Sequence, residues 1–141
     1  MKRILSVILV LVTLFTAAIP AFAAAPADEP VVSPQYTYIQ TISIGLEIDE
    51  KTGIATCRAS SYATTNYTVE VEYELQRYKD SKWETIKMWS ASAIRLSYLT
   101  QYWAVYSGYL YRGVVTVRIR DEAGRLLENA IHTKNYLYPK R

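Results

Sequence analysis

Histidine and cysteine are all but missing from this 141-residue chain, which has one of each. With His132 the only imidazole, most metal sites and nearly all catalytic triads are excluded together. With Cys57 the only thiol, no intrachain disulfide can form. Glycine and proline are scarce at five each, and charged residues make up 21% of a chain that is 50% apolar, which excludes collagen and disorder. The length suits one domain rather than a multi-domain enzyme. Gly-x-Ser-x-Gly, His-Glu-x-x-His and phosphate-cradling loops are all absent from the sequence, so the protein is expected to be non-enzymatic and to need no cofactor.

What is present begins with a targeting pattern. Lys2 and Arg3 precede a greasy run from Ile4 to Val12, which weakens towards Ala18 and ends in Pro20-Ala21-Phe22-Ala23. That order is expected of a secretory signal peptide over residues 1–23, cut after Ala23 or Ala25. Removal takes two of the 16 cationic residues and none of the 13 acids, lowering the net charge from +3 to +1. No Lys/Arg cluster remains, so nucleic acid is not the expected partner. No cysteine follows the signal core and no apolar tail closes the chain; the expectation is a secreted protein without membrane insertion after cleavage. Cys57 in such a protein is buried and inert, paired with another chain, or reactive.

Residues 24–35 hold three prolines among small residues and are expected to form a loose leader. From Tyr36 the period is two: Tyr36, Tyr38, Ile42, Ile44, Leu46 and Ile48 share one phase, with Ile39 the only apolar residue on the other and a break or bulge expected at Gly45. Asp49-Glu50-Lys51-Thr52-Gly53 reads as a hairpin turn into a strand with Ala55, Cys57 and Ala59 on one side. Tyr67, Val69, Val71, Tyr73 and Leu75 alternate cleanly with polar residues. Lys79 to Lys82 turn the chain into Trp83–Ser90, where both phases are apolar and the inward one is ambiguous. One strand or two follow over Ile94–Val105, then Tyr109–Arg120 and, after Asp121-Glu122-Ala123-Gly124, a last strand from Leu126. About seven short strands without an amphipathic helix point to an all-β antiparallel sandwich over residues 36–141.

Ala55-x-Cys57-x-Ala59, the Leu75-Gln76-Arg77 strand end leading to Trp83, and Gly108-Tyr109-x-Tyr111-Arg112 before a Val-x-Val strand resemble an immunoglobulin-like β-sandwich. The mature chain is similar to small exported bacterial proteins of unknown function with one such domain. The resemblance implies that Tyr111 is a tyrosine corner, and that Gly113 takes the place of the second bridge cysteine with Cys57 facing it as a buried thiol.

Glu70, Glu72 and Glu74 lie on one face, where carboxylates could perform acid–base work or bind calcium. In the implied fold they instead meet Arg118 and Arg120 across the strand, as Glu70–Arg120 and Glu72–Arg118. Asp49-Glu50 and Asp121-Glu122 should lie at opposite ends of the domain, too far apart to share an ion. A Cys57–His132 dyad would require an inward thiol to meet a histidine expected on the outer face of the last strand.

Aromatics are the one excess, with 13 tyrosines and three tryptophans. Tyr38, Tyr73, Tyr98, Tyr109 and Tyr111 suit a core. Trp89, Trp103, Tyr106, Tyr62 and Tyr78 fall at loops or on the less apolar phase, and form the candidate surface for a glycan or a cell-surface protein. The alternative is an assembly subunit pairing through an edge strand, the last strand or Trp83–Ser90.

Overall fold

The computed structural model describes residues 35–140, so the expected signal peptide and nearly all of the leader lie outside the described residues. The chain runs through β1 (Ile39–Asp49), β2 (Ile54–Ala63), β3 (Thr68–Lys79), β4 (Lys82–Ile94), β5 (Leu96–Ala104), β6 (Tyr109–Arg120) and β7 (Leu126–Tyr138). All pairings are antiparallel, in a three-stranded sheet ordered β1-β2-β5 and a four-stranded sheet ordered β4-β3-β6-β7.

The hairpins follow from turn chemistry. Gly53 and Gly124 adopt φ of +70° and +77°, which a side chain would resist. Between β3 and β4, Asp80 and Ser81 both have positive φ, 50° and 63°; a two-residue loop needs this to match the twist of its strands. Arg95 alone separates β4 from β5, which belong to different sheets. It switches sheets with a φ of 68°, donating its N–H to the Tyr67 carbonyl and accepting from the Ala63 N–H, both at 2.8 Å. The strand expected to stop near Ser90 therefore runs to Ile94.

Bulges account for the ambiguous phases. In β1 the register jumps between Ile39 and Thr41, so the extra residue is Gln40 rather than Gly45, and Ile39 turns inward and is buried. In β4, Leu75 faces Lys87 while Gln76 faces Thr85. The surplus residue Ile86 reverses the phase, which puts Trp89 on the inner side with Tyr73 and Trp83 on the outer side with Gln76.

The core is asymmetric. β3 and β6 supply Val69, Val71, Tyr73, Leu75, Tyr111, Val115, Val117 and Ile119, all buried. The facing strand β2 supplies Ala55, Cys57, Ala59 and Ala63, and these small side chains leave room for two phenols. Tyr73 Oη donates to the Gly45 carbonyl of the opposite sheet at 3.0 Å. Tyr111 Oη donates to the Tyr106 carbonyl at 2.8 Å and accepts from the Tyr106 N–H at 3.1 Å, so both buried hydroxyls are satisfied. Gly113 has no room for a side chain, because a Cβ there would run into the Tyr73 hydroxyl. Tyr73 lies against both Gly113 and Cys57.

The β1–β7 flank is stitched by polar contacts. The Glu128 carboxylate accepts from the N–H groups of Thr37, Tyr38 and Ile39 at 2.8, 2.9 and 2.7 Å. Tyr138 Oη donates to the Glu50 carbonyl at 3.1 Å, and Tyr36 Oη lies 3.2 Å from His132 Nε2. His132 is thus half-buried on the inner phase, opposite Val115, and not on the outer face expected from sequence. Ile131 and Leu137 occupy that outer face, exposed.

Candidate functional site

On the outer face of the four-stranded sheet the charged and polar side chains engage one another, beside a pocket of about 350 Å3 lined by Glu70, Glu72, Ser90, Ser92 and Arg118. Arg120 Nε lies 2.9 Å from Glu70 and Arg118 lies 3.6 Å from Glu72. Both ion pairs expected from sequence form, but diagonally: the residue directly opposite Glu70 is Arg118, and that opposite Glu72 is Thr116. Glu74 accepts from Thr85 Oγ1 at 2.7 Å and from Gln76 Nε2 at 2.9 Å. Arg112 Nε donates to Gln76 Oε1 at 2.7 Å, and its guanidinium sits 4.1 Å from the Trp83 ring centroid. Trp83 in turn tilts against Tyr78 at 5.2 Å between centroids. Each acid of the Glu70-Glu72-Glu74 row is thus engaged by a neighbouring side chain.

The outer face of the three-stranded sheet is different. Even-numbered residues of β5 point outward, and Leu96, Tyr98 and Tyr102 are exposed at 47%, 71% and 62%, with Tyr106 just past the strand end at 74%. At about 3.3 Å per residue, Tyr98 and Tyr102 stand roughly 13 Å apart. Across the ladder, Ser60 lies opposite Tyr98, Arg58 opposite Thr100 and Thr56 opposite Tyr102. The Arg58 charge is matched by Glu47 at 3.2 Å. The surface is therefore a row of phenols beside hydroxyls, with the Arg58 charge compensated by Glu47.

At the β5 exit the row opens into a pocket of about 490 Å3 lined by Ile54, Tyr102, Trp103, Ala104 and Tyr106. Trp103, 38% exposed, lies edge-on to Trp89 at 6.4 Å, and Lys87 Nζ stands 4.6 Å from its ring centroid.

The five aromatics singled out from sequence divide accordingly. Trp103 and Tyr106 share the pocket, with Trp89 half-buried behind Trp103. Tyr62 is at the other end of β5, opposite Leu96, with the Arg95 guanidinium 5.1 Å over its ring. Tyr78 belongs to the other sheet, beside Trp83. Sequence reasoning placed Tyr98 in the core, and the structure exposes it; Tyr102, in both the row and the pocket, was not singled out. Both phases of Leu96–Val105 are apolar, and only the pairing with β2 decides that Ser97, Leu99 and Val105 go inward.

Elsewhere the titratable groups serve the fold. Burial pushes the Cys57 thiol from its ordinary 9.0 up to about 11, with the Tyr73 hydroxyl contact opposing, and burial also raises Tyr73, helped by Cys57. A thiol held neutral at physiological pH is a poor nucleophile, and His132 meets Tyr36 instead. Among the described residues, no group of three or more His, Cys, Asp and Glu side chains is placed to hold a metal ion. Comparison with protein-family models, curated proteins and solved structures finds no match to this chain.

Proposed function

We propose that this chain is a secreted, non-enzymatic recognition module of immunoglobulin-like fold that binds an uncharged glycan along the outer face of β5. The observation that carries the reading is the row Tyr98, Tyr102 and Tyr106, each more than 60% exposed. Phenol rings stack on the C–H faces of sugars, and neighbouring hydroxyls exchange hydrogen bonds with sugar hydroxyls. Thr56, Ser60 and Thr100 surround the row, and Arg58 between them pairs with Glu47. Such a surface favours a neutral polyhydroxylated ligand over a phosphorylated or strongly acidic one. The pocket beside Trp103 is suited to a single sugar unit at the end of the row.

The strand order β1-β2-β5 and β4-β3-β6-β7 and the Tyr111–Tyr106 clasp support the immunoglobulin-like assignment. Secretion rests on the basic start, greasy run and small-residue exit of residues 1–23.

A glycan array covering neutral and acidic polysaccharides tests the reading. Saturable binding to a neutral glycan is expected, weakened at least tenfold in the Tyr98→Ala/Tyr102→Ala double variant, with the thermal midpoint moved by no more than a few degrees. Binding that survives the double substitution would sink the proposal.

A further inference from the structure

A sandwich of two open sheets has four edge strands: β1 and β5 in one sheet, β4 and β7 in the other. An exposed edge is a template for another strand, and proteins guard it with bulges, inward-pointing charges, proline or capping groups.

Three of the edges carry such guards. β1 has its bulge at Gln40, and the N–H groups leading into it are taken by Glu128. β4 has its bulge at Ile86, and next to it Lys87, on the inner phase opposite Leu75, reaches to Trp103. β7 has a register shift at Ile119/Arg120 that leaves Leu127 surplus, and it places Lys134 on the inner phase opposite Gly113. The two strands that the sequence offered as assembly edges, β7 and Trp83–Ser90, are therefore both protected.

β5 has none of these devices. Its nine residues, Leu96-Ser-Tyr-Leu-Thr-Gln-Tyr-Trp-Ala104, contain no charge, no proline and no glycine, and its register with β2 runs without a shift from Leu96 to Ala104. Uncharged and rich in aromatic residues, the segment has a composition that favours strand pairing.

The strand also complements itself. An antiparallel pair centred on Thr100 sets each residue opposite the one whose number completes the same sum. Leu96 meets Ala104, Ser97 meets Trp103, Tyr98 meets Tyr102, Leu99 meets Gln101 and Thr100 meets its own copy. Inward residues oppose inward residues throughout, and on the outer face two Tyr98–Tyr102 pairs flank the Thr100 pair. Cross-strand aromatic pairs are stabilising, and no like charges are brought together.

We propose that β5 pairs antiparallel with β5 of a second copy of this chain about a two-fold axis at Thr100. The two three-stranded sheets become one sheet of six strands, and the two tyrosine rows merge into one platform. The pairing needs no ligand, and it stands or falls separately from glycan recognition.

Light scattering and sedimentation of the purified protein over a range of concentrations test the proposal. The expected result is a concentration-dependent dimer. Thr100→Lys puts two ammonium groups opposite each other at the axis, on an outward, exposed site, and should lower the dimer's stability at least tenfold, while the new cation opposite Arg58 lowers the thermal midpoint of the monomer by no more than a few degrees. The same change at Thr133, exposed on the outer face of β7, should leave the dimer intact. Directly opposed residues of an antiparallel pair lie within disulfide reach, so Thr100→Cys should cross-link under copper-catalysed air oxidation while Thr133→Cys should not. A monomer at all concentrations with no cross-link at position 100, or a dimer unaffected by Thr100→Lys, overturns the proposal.

Discussion

The two sheets distribute their bulk in opposite directions. The four-stranded sheet turns Tyr73, Tyr111, Leu75, Ile119 and four valines inward and carries on its outer side ion pairs and an Arg112–Trp83 stack beside the exposed Ile131 and Leu137. The three-stranded sheet puts alanine and cysteine at the centre of its inner side and Tyr98 and Tyr102 in solvent, with Trp103 at its rim against Trp89. One sheet fills the core, and the other accommodates it. Because the three-stranded sheet needs so little inward volume, Tyr98 and Tyr102 are left outside the core, and substitutions of these two should separate binding from folding.

The largest effect that would break this division is at Gly113. A Cβ at that position collides with the Tyr73 hydroxyl, and Tyr73 is wedged under β1 by its bond to Gly45, so it cannot move aside cheaply. Gly113→Ala is expected to destabilise by roughly 3 kcal/mol, the upper range for overpacking a filled core. Urea unfolding measures it; a loss under about 0.5 kcal/mol would mean that the sheets separate readily and that the inner side is not filled by Tyr73 as described.

A smaller effect is pH-dependent and comes from the small-residue side. Cys57 titrates at about 11 in the fold against 9.0 ordinarily, and Tyr73 is raised in the same direction. Both are neutral acids when buried, so the folded state binds protons that the unfolded state releases in alkali. The sign is a stability that is fully present below about pH 8 and falls as pH rises from about 9 through 11, by on the order of 2 kcal/mol for the thiol. Thermal midpoints from pH 7 to 11 should show the fall, and Cys57→Ala should make it shallower. An identical slope in the variant would place the alkaline sensitivity elsewhere.

How far the sequence reveals this arrangement depends on whether a strand is apolar on one phase or on both. β3 alternates strictly, and its inward set and the turns at Gly53 and Gly124 are visible from residue types alone, whereas the buried Cys57 and the Tyr111 clasp follow only from the resemblance to an immunoglobulin-like sandwich. The inward sets of β4 and β5 are not visible, for two reasons. The surplus Ile86 reverses the phase within β4, so no single alternation describes it. In β5 the more aromatic phase faces water, because the pairing with β2 in the same sheet turns Ser97 and Leu99 inward and leaves Tyr98 and Tyr102 on the outer side. The tyrosine row lies where hydrophobic alternation is uninformative, and Tyr98 was accordingly assigned to the core. His132 failed for a related reason: β7 carries Ile131 and Leu137 outward, against the polarity rule, because its inner phase is engaged by polar contacts to β1 and the segment before it.

The smallest effect sharpens the comparison of the outer faces. Arg120 and Glu70 are each about one-third exposed, at 34% and 33%, and pairs of this exposure are worth about 0.5 kcal/mol after side-chain entropy and screening. Glu70→Gln should cost that much at low salt and less at high salt, because the charge attraction is screened while the shape is kept. Tyr102→Ala, measured on the monomer, should cost no more than the ion pair and show no salt dependence, since its ring is 62% exposed and takes no part in the core. Paired urea titrations at low and high ionic strength make the distinction. A salt-dependent loss at Glu70 beside none at Tyr102 keeps structural work on the four-stranded face. If Tyr102→Ala destabilised more than Glu70→Gln, the tyrosine row would belong to the fold, and its exposure would no longer mark a surface free to bind.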